Sequence, residues 1–180
     1  PLAVYSPALQ NEYHYDSELS NKLQKFGKNG YEPKNVDNQY SNKIPMYEAL
    51  AQSKNVPAVW LLDKIGVSKG VQSVENFGIH VNRSDQNLAL ALGALSTGVS
   101  PLQMARAYSA FANEGNLPNQ SYCITKITDA SGNVIAQNKN PGNHRIISTN
   151  TAKEMTSMLL GVFTSGTGRS AQPSSFRVAG

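Results

Sequence analysis

Residues 45–66, PMYEALAQSKNVPAVWLLDKIG, decide how the chain is read. Pro45 opens a helical pattern in which Met46, Ala49 and Leu50 recur at helical spacing. Apolarity then lapses over Ser53-Lys54-Asn55. Pro57 begins a second pattern with Ala58, Leu61, Leu62 and Ile65, and Gly66 stops it. Proline near a helix start and glycine just past its end is the asymmetry that helix geometry favours. The stretch therefore predicts two helices meeting at a polar junction. On the tripeptide alone, Ser53 and Asn55 read as caps, because short polar side chains satisfy the free amides of helix ends. A second reading makes Ser53 a proton relay and Asn55 an amide holder, and it requires a nucleophile from outside this chain.

Towards the N-terminus, Pro1 suits a first helical turn, and Leu2, Val4, Tyr5 and Leu9 put apolar groups near one face, so residues 1–10 predict a helix. Residues 11–43 are polar and rich in turn formers, most densely over 28–35. They predict an irregular surface region with a short helix near Ser17 to Phe26, and His14-Tyr15-Asp16 as loop.

Towards the C-terminus, residues 68–78 predict a helix capped by Ser68 and ended by Gly78. The leucine-rich stretch within 86–98 is too short to span a bilayer. Ser100 as N-cap and Pro101 at the first position start a strong helix with Leu102, Ala105, Tyr108, Phe111 and Ala112 along a face, ended by Gly115. Residues 122–137 predict a hairpin: Cys123, Ile124, Ile127, Val134 and Ile135 are strand-like around the turn chemistry of 129–133. A loop follows over 138–145. Ser148 then caps a helix from Thr149 to about Phe163, broken by Thr164-Ser165-Gly166-Thr167-Gly168. Residues 176–180 read as the approach to a strand.

The chain has 180 residues, 39% hydrophobic and 16% charged. That is the size of one domain with a real core, and it excludes a disordered segment or a coiled coil. The net charge of +4 comes from scattered lysines and arginines, not the clustered basic face that a nucleic-acid interface needs. No apolar run reaches membrane-spanning length, and the N-terminus carries no basic signal-peptide region. Any membrane anchor is expected outside this segment. Cys123 is the single cysteine; it cannot pair internally and is expected to be a buried small hydrophobe. His14, His80 and His144 lack the spacing of a zinc site, so no metal is expected. Gly166-Thr167-Gly168 lacks the length and ending of a phosphate loop and reads as a helix-terminating turn.

Several blocks, taken in order, change the weight of the junction. Tyr31-Glu32-Pro33-Lys34-Asn35, Ile44 and Glu48 through Ala58 resemble class A penicillin-binding proteins, which join a glycosyltransferase domain to a transpeptidase. So do Ala91-Leu92-Gly93 with Gly98 through Ala105, Ala107 through Gly115, Ile124 through Asp129 before Gly132, and Gly166-Thr167-Gly168. The likeness covers roughly residues 31–180, fits the first ten, and is weakest over 11–30. Ser53 and Asn55 match the family's middle motif, between S-x-x-K and K-T-G. The resemblance places S-x-x-K immediately before Pro1 and K-T-G immediately after Gly180, and neither occurs within the chain.

The family implies an α+β, mainly helical fold. Residues 1–180 would be a partial transpeptidase domain, the helical region of the penicillin-binding and β-lactamase-like fold, with a small hairpin near 122–137 and most of the central sheet missing. It implies acyl transfer through a serine to peptidoglycan stem peptides, acylation by β-lactams, and no cofactor. Ser53 would pass a proton and Asn55 would be catalytic and bind the substrate amide. Lys54, solvent-facing, would sit on the site rim with Gly166, Thr167 and Gly168. The segment alone is expected to be inactive and to self-associate through a face its missing sheet would cover. The parent is expected on the extracytoplasmic face of a bacterial membrane. A β-lactam-sensing module on the same fold is the alternative. A serine β-lactamase is a further relative, but no separate deacylating Glu stands in a recognisable loop.

Overall fold

Both helices of the central stretch form, and the rest of the chain packs around them. The computed structural model describes residues 1–139, 142–176 and 178–180. The helices are α1 (Tyr5–Leu9), α2 (Met46–Ala51), α3 (Asn55–Ile65), α4 (Val67–Asn76), α5 (Pro101–Ala112) and α6 (Thr149–Thr164), with 3₁₀ turns at Arg83–Asp85, Leu88–Leu92 and Arg169–Ala171. The strands are β1 (Glu18–Asn21), β2 (Ser41–Pro45), β3 (Asn116–Pro118), β4 (Lys126–Thr128), β5 (Val134–Gln137) and β6 (Asn143–Arg145). They make three antiparallel pairs, β1–β2, β3–β6 and β4–β5, and among the described residues no larger sheet. A mainly helical α+β architecture with a separate hairpin is what the sequence predicts.

The core is one helical cluster. Leu61 and Leu62 of α3 are fully buried, as are Met46 and Ala49 of α2, Ala107 and Ala110 of α5, and Ala152 and Met155 of α6. Each large aliphatic side chain removed from water contributes about 1.5–3 kcal/mol. Phe111 joins α5 to α4 through Phe77, at 5.3 Å between ring centroids, with Tyr108 edge-on at 5.6 Å. Close approach is enforced at Gly70, where a Cβ would lie 2.6 Å from Leu62 Cδ1 and 2.8 Å from Ala3 O. Helix α4 therefore seats directly on the chain entering α1.

Several expectations are corrected. The N-terminal helix is only Tyr5–Leu9, and all its residues are buried; packing against α3, α4 and α6 replaces a one-sided face. Residues 17–26 contain a strand rather than a helix: β1 pairs with β2, placing Leu19 opposite Ile44 with both side chains in the core. A cross-strand partner 25 residues on overrides local preference. Gly66, at φ 94°, ends α3 and serves as N-cap of α4, so Ser68 lies inside that helix. Ser100 and Gln103 form a full capping box on α5, yet Leu102, Ala105 and Ala112 are exposed and the core face is Ala107, Ala110 and Phe111. The predicted 138–145 loop contains β6, paired with β3; Asn140 and Pro141 lie outside the described residues. Residues 178–180 are not strand, and Arg177 lies outside the described residues. The β4–β5 hairpin forms as predicted, but Cys123 beside it is exposed.

Candidate functional site

The α2–α3 junction turns within three residues. Ser53 holds a left-handed backbone at φ 53°, its amide donating to Leu50 O at 3.0 Å, and the Lys54 amide donates to Ala49 O at 2.9 Å. An L-residue in that region costs about 1–2 kcal/mol, so the corner is held by its surroundings rather than by preference. It brings Ser53, exposed, and Asn55, half-buried, to one wall of a cleft of about 390 Å³. Leu92 and Gly93, at the end of the second 3₁₀ turn, line the same cleft, and Thr167, Pro1 and Gly180 complete the lining that concerns the chemistry.

Neither polar side chain of the motif caps a helix. The N-cap of α3 is Lys54, with no side-chain cap, and the Val56 amide donates instead to Asn35 Oδ1 at 3.1 Å. Asn55 Nδ2 donates to Lys34 O at 2.7 Å. Among the described residues, the Ser53 hydroxyl and Asn55 Oδ1 have no partner. The cap reading is thereby overturned: the caps come from another segment, and two polar groups are left free in the cleft.

The solvent-facing expectation for Lys54 is also overturned. Its side chain is only 6% exposed and its Nζ donates to Asp37 Oδ2 at 2.5 Å. That hydrogen bond, with one from the Gln39 amide, holds the Asp37 carboxyl below its ordinary value. An ammonium out of water needs such a partner.

Gly166-Thr167-Gly168 ends α6 as a turn, as predicted, and also ties it to α2. The Thr167 amide donates to Ala51 O at 3.1 Å, and a Cβ on Gly166 would lie 2.2 Å from that same oxygen. Only glycine allows this approach. Outside the cleft lining, Asp85 is buried, and its Oδ2 accepts from the amide and the hydroxyl of Ser96 at 3.0 and 2.9 Å. Those bonds lower the Asp85 carboxyl below its ordinary value and close the loop that carries Leu92 and Gly93. Sequence reasoning missed Asn35, Asp37 and Asp85; Pro33-Lys34-Asn35 read as turn chemistry. Among the described residues no group of three or more histidine, cysteine, aspartate or glutamate side chains could hold a metal ion, and no helix is long and apolar enough to cross a membrane.

Comparison with known proteins agrees with this geometry. The penicillin binding protein transpeptidase domain family matches residues 2–180. Penicillin-binding protein 2a of Streptococcus pneumoniae is 41% identical over 184 residues, covering 100% of this chain and 24% of that protein. Penicillin-binding protein 1F of Bacillus subtilis is 43% identical over 171 residues, covering 94% and 23%. The crystal structure of penicillin-binding protein 1A from Haemophilus influenzae superposes with a TM-score of 0.78 at 26% identity, over 92% of this chain and 29% of that one. The chain belongs to the penicillin-binding protein transpeptidase domain family, in its class A group. It spans about a quarter of the length of these curated relatives.

Proposed function

We propose that residues 1–180 form the central, mainly helical portion of a peptidoglycan D,D-transpeptidase domain that works through an acyl-serine and is acylated by β-lactams. The observation that carries this reading is the pair of unpartnered polar groups, Ser53 Oγ and Asn55 Oδ1, in one cleft with both Pro1 and Gly180. Sequence preceding Pro1 and sequence following Gly180 would both be delivered to that cleft, where the family has its S-x-x-K serine and its K-T-G strand.

In the proposed reaction the serine oxygen attacks the penultimate D-Ala carbonyl of a stem peptide, and its proton passes to the S-x-x-K lysine. The peptide C–N bond breaks, and the terminal D-Ala leaves after its nitrogen takes a proton relayed by Ser53. An amine of a neighbouring stem then attacks the ester, releasing the serine and forming the cross-link. Asn55, its Nδ2 anchored on Lys34 O, presents Oδ1 to the substrate's amide N–H. Thr167 lines the cleft, held there by the turn it makes with Gly166 and Gly168, and Lys54, its ammonium held by Asp37, lines it beside Ser53 and Asn55. A β-lactam follows the first half and stops at the ester.

The 180 residues contain no S-x-x-K and no Lys-Thr-Gly, so the isolated chain should not acylate. The parent is proposed to carry a glycosyltransferase domain and an anchor placing it on the extracytoplasmic face of a bacterial membrane. The uncovered faces should also promote self-association, which light scattering of the isolated chain would read. The deciding test is intact mass after benzylpenicillin, on this chain and on the chain with its natural flanking sequence. An adduct only on the longer protein supports the proposal. No adduct on either returns Ser53 and Asn55 to an inert helix corner.

A further inference from the structure

A single short segment grips all of the Ser53-Lys54-Asn55 turn except its exposed serine. Lys34 O accepts from Asn55 Nδ2, Asn35 Oδ1 accepts from the Val56 amide, and Asp37 Oδ2 accepts from Lys54 Nζ. The three partners lie within four residues of one another, yet 17 to 21 residues from the groups they hold. The segment is itself anchored. Asn35 is 2% exposed, and its Nδ2 donates to Asn21 Oδ1 and to Gln39 O, each at 2.7 Å. Asn21 is buried at the irregularity in β1, where the register shifts after Ser20, and its Nδ2 donates to Ser41 Oγ on β2 at 3.1 Å.

We infer that Asn35 is a positioning residue for the transpeptidase site: it carries the register of the β1–β2 pair onto the start of α3 and so sets where Asn55 presents its free oxygen. The inference rests on the proposed role of Asn55 and extends it to a residue that touches no substrate. Its chemistry suits the task. Asn35 acts as donor and acceptor at once, buried, with one acceptor and two donor bonds satisfied. Aspartate could keep the bond from Val56 but could not donate to Asn21 Oδ1 or Gln39 O. Alanine would lose all three. In either variant α3 keeps its core packing through Leu61 and Leu62, while the first turn of the helix and Asn55 lose their fixed reference.

The test uses the complete transpeptidase domain with its flanking sequence and measures benzylpenicillin acylation by stopped flow. It separates the noncovalent binding constant from the acylation rate constant, well below the melting temperature of each variant. Asn35→Ala should slow the acylation step about tenfold to a hundredfold, the effect expected of a small misplacement of a reacting group, with the noncovalent constant little changed. Asn35→Asp should fall in the same direction. Val71→Ala, a core truncation in α4 away from the cleft, serves as the control for lost stability and should acylate at the parent rate. If Asn35→Ala acylates at the parent rate while Asn55→Ala is slow, the positioning inference is overturned and the proposed function stands. If Asn55→Ala also acylates at the parent rate, both fall together. If Val71→Ala slows acylation as much as Asn35→Ala at matched melting temperature, the effect is one of stability and the inference is again overturned.

Discussion

The α2–α3 junction and the β4–β5 hairpin are both polar turns between regular elements, and they are held in opposite ways. The hairpin turn is local. Asp129 Oδ1 accepts from the amides of Ser131 and Asn133 at 2.9 and 2.8 Å, and its Oδ2 accepts from Asn133 Nδ2, all within four residues. Its strands are exposed throughout, with Ile127, Val134 and Ile135 each more than 45% accessible, as is Ile124 just before β4. The junction keeps two local backbone bonds, but the Lys54 and Asn55 side chains and the Val56 amide are all held by residues 17 to 21 positions away, and the helices on either side are sunk in the core. A turn that satisfies itself is free to sit anywhere on the surface. A turn satisfied by other segments has its position set to their precision, which is what a reacting site requires.

The largest expected difference between the two regions is chemical. In the complete domain, Ser53→Ala should reduce β-lactam acylation by about 10²–10⁴, the range for a lost proton-transfer group, while the melting temperature holds. Ser53→Gly should lose acylation equally and yet stabilise the fold by about 1 kcal/mol, because glycine carries no penalty at φ 53°. Full acylation by either variant would reduce the junction to a structural corner no different in kind from the hairpin.

Next in size, Gly166→Ala should destabilise the domain by about 1–3 kcal/mol, read by urea unfolding, since its Cβ would overlap Ala51 O and force α6 away from α2. The matching change in the hairpin, Gly132→Ala, has open space around it and only its φ of 85° against it, so its loss should be smaller and confined to the turn.

Acid should separate the regions more gently. Asp37 is held below the ordinary value of 3.8 chiefly by the Lys54 hydrogen bond, and Asp129 chiefly by the Asn133 side chain. For a lowered carboxyl, the stability it contributes is present above the ordinary value and is lost as pH falls through the lowered one. Protonating Asp37 leaves the buried Lys54 ammonium without its carboxylate, so Asp37→Asn should flatten the acid branch of a melting-temperature profile. Asp129→Asn should flatten it less, because protonating Asp129 costs only local turn bonds to Ser131 and Asn133 and leaves no buried cation behind. Identical profiles for the two variants would show that the Lys54 pair contributes no more than a surface turn.

The smallest effects belong to the hairpin. Ile135→Ser should shift unfolding by less than about 0.5 kcal/mol, and Cys123, exposed, should label with a maleimide in the folded protein without added denaturant. Slow labelling in the native state would mean that the hairpin is covered in solution.

Read alone, the sequence determined the helices that carry their own signals. Pro45, Gly66, the Ser100-Pro101 start and the Ser148 cap mark α2, α3, α5 and α6 closely, because proline, glycine and short hydroxyl side chains act on the backbone beside them. The hairpin was legible for the same reason, through Asp129 and Gly132. The order of the blocks pointed to the family and singled out Ser53 and Asn55. What the tertiary structure alone decided was everything that depends on partners far along the chain. Residues 18–21 are a strand because Ser41–Pro45 pairs with them. Leu102 is exposed despite its place on an apolar face, Cys123 is exposed beside the hairpin, and Lys54 is buried because Asp37 reaches it. Asn55 is freed from capping because Asn35 takes that task. No local pattern encodes the buried hydrogen bond from the Val56 amide to Asn35 Oδ1, 21 residues back along the chain, since its worth comes from burial that exists only once the core has closed.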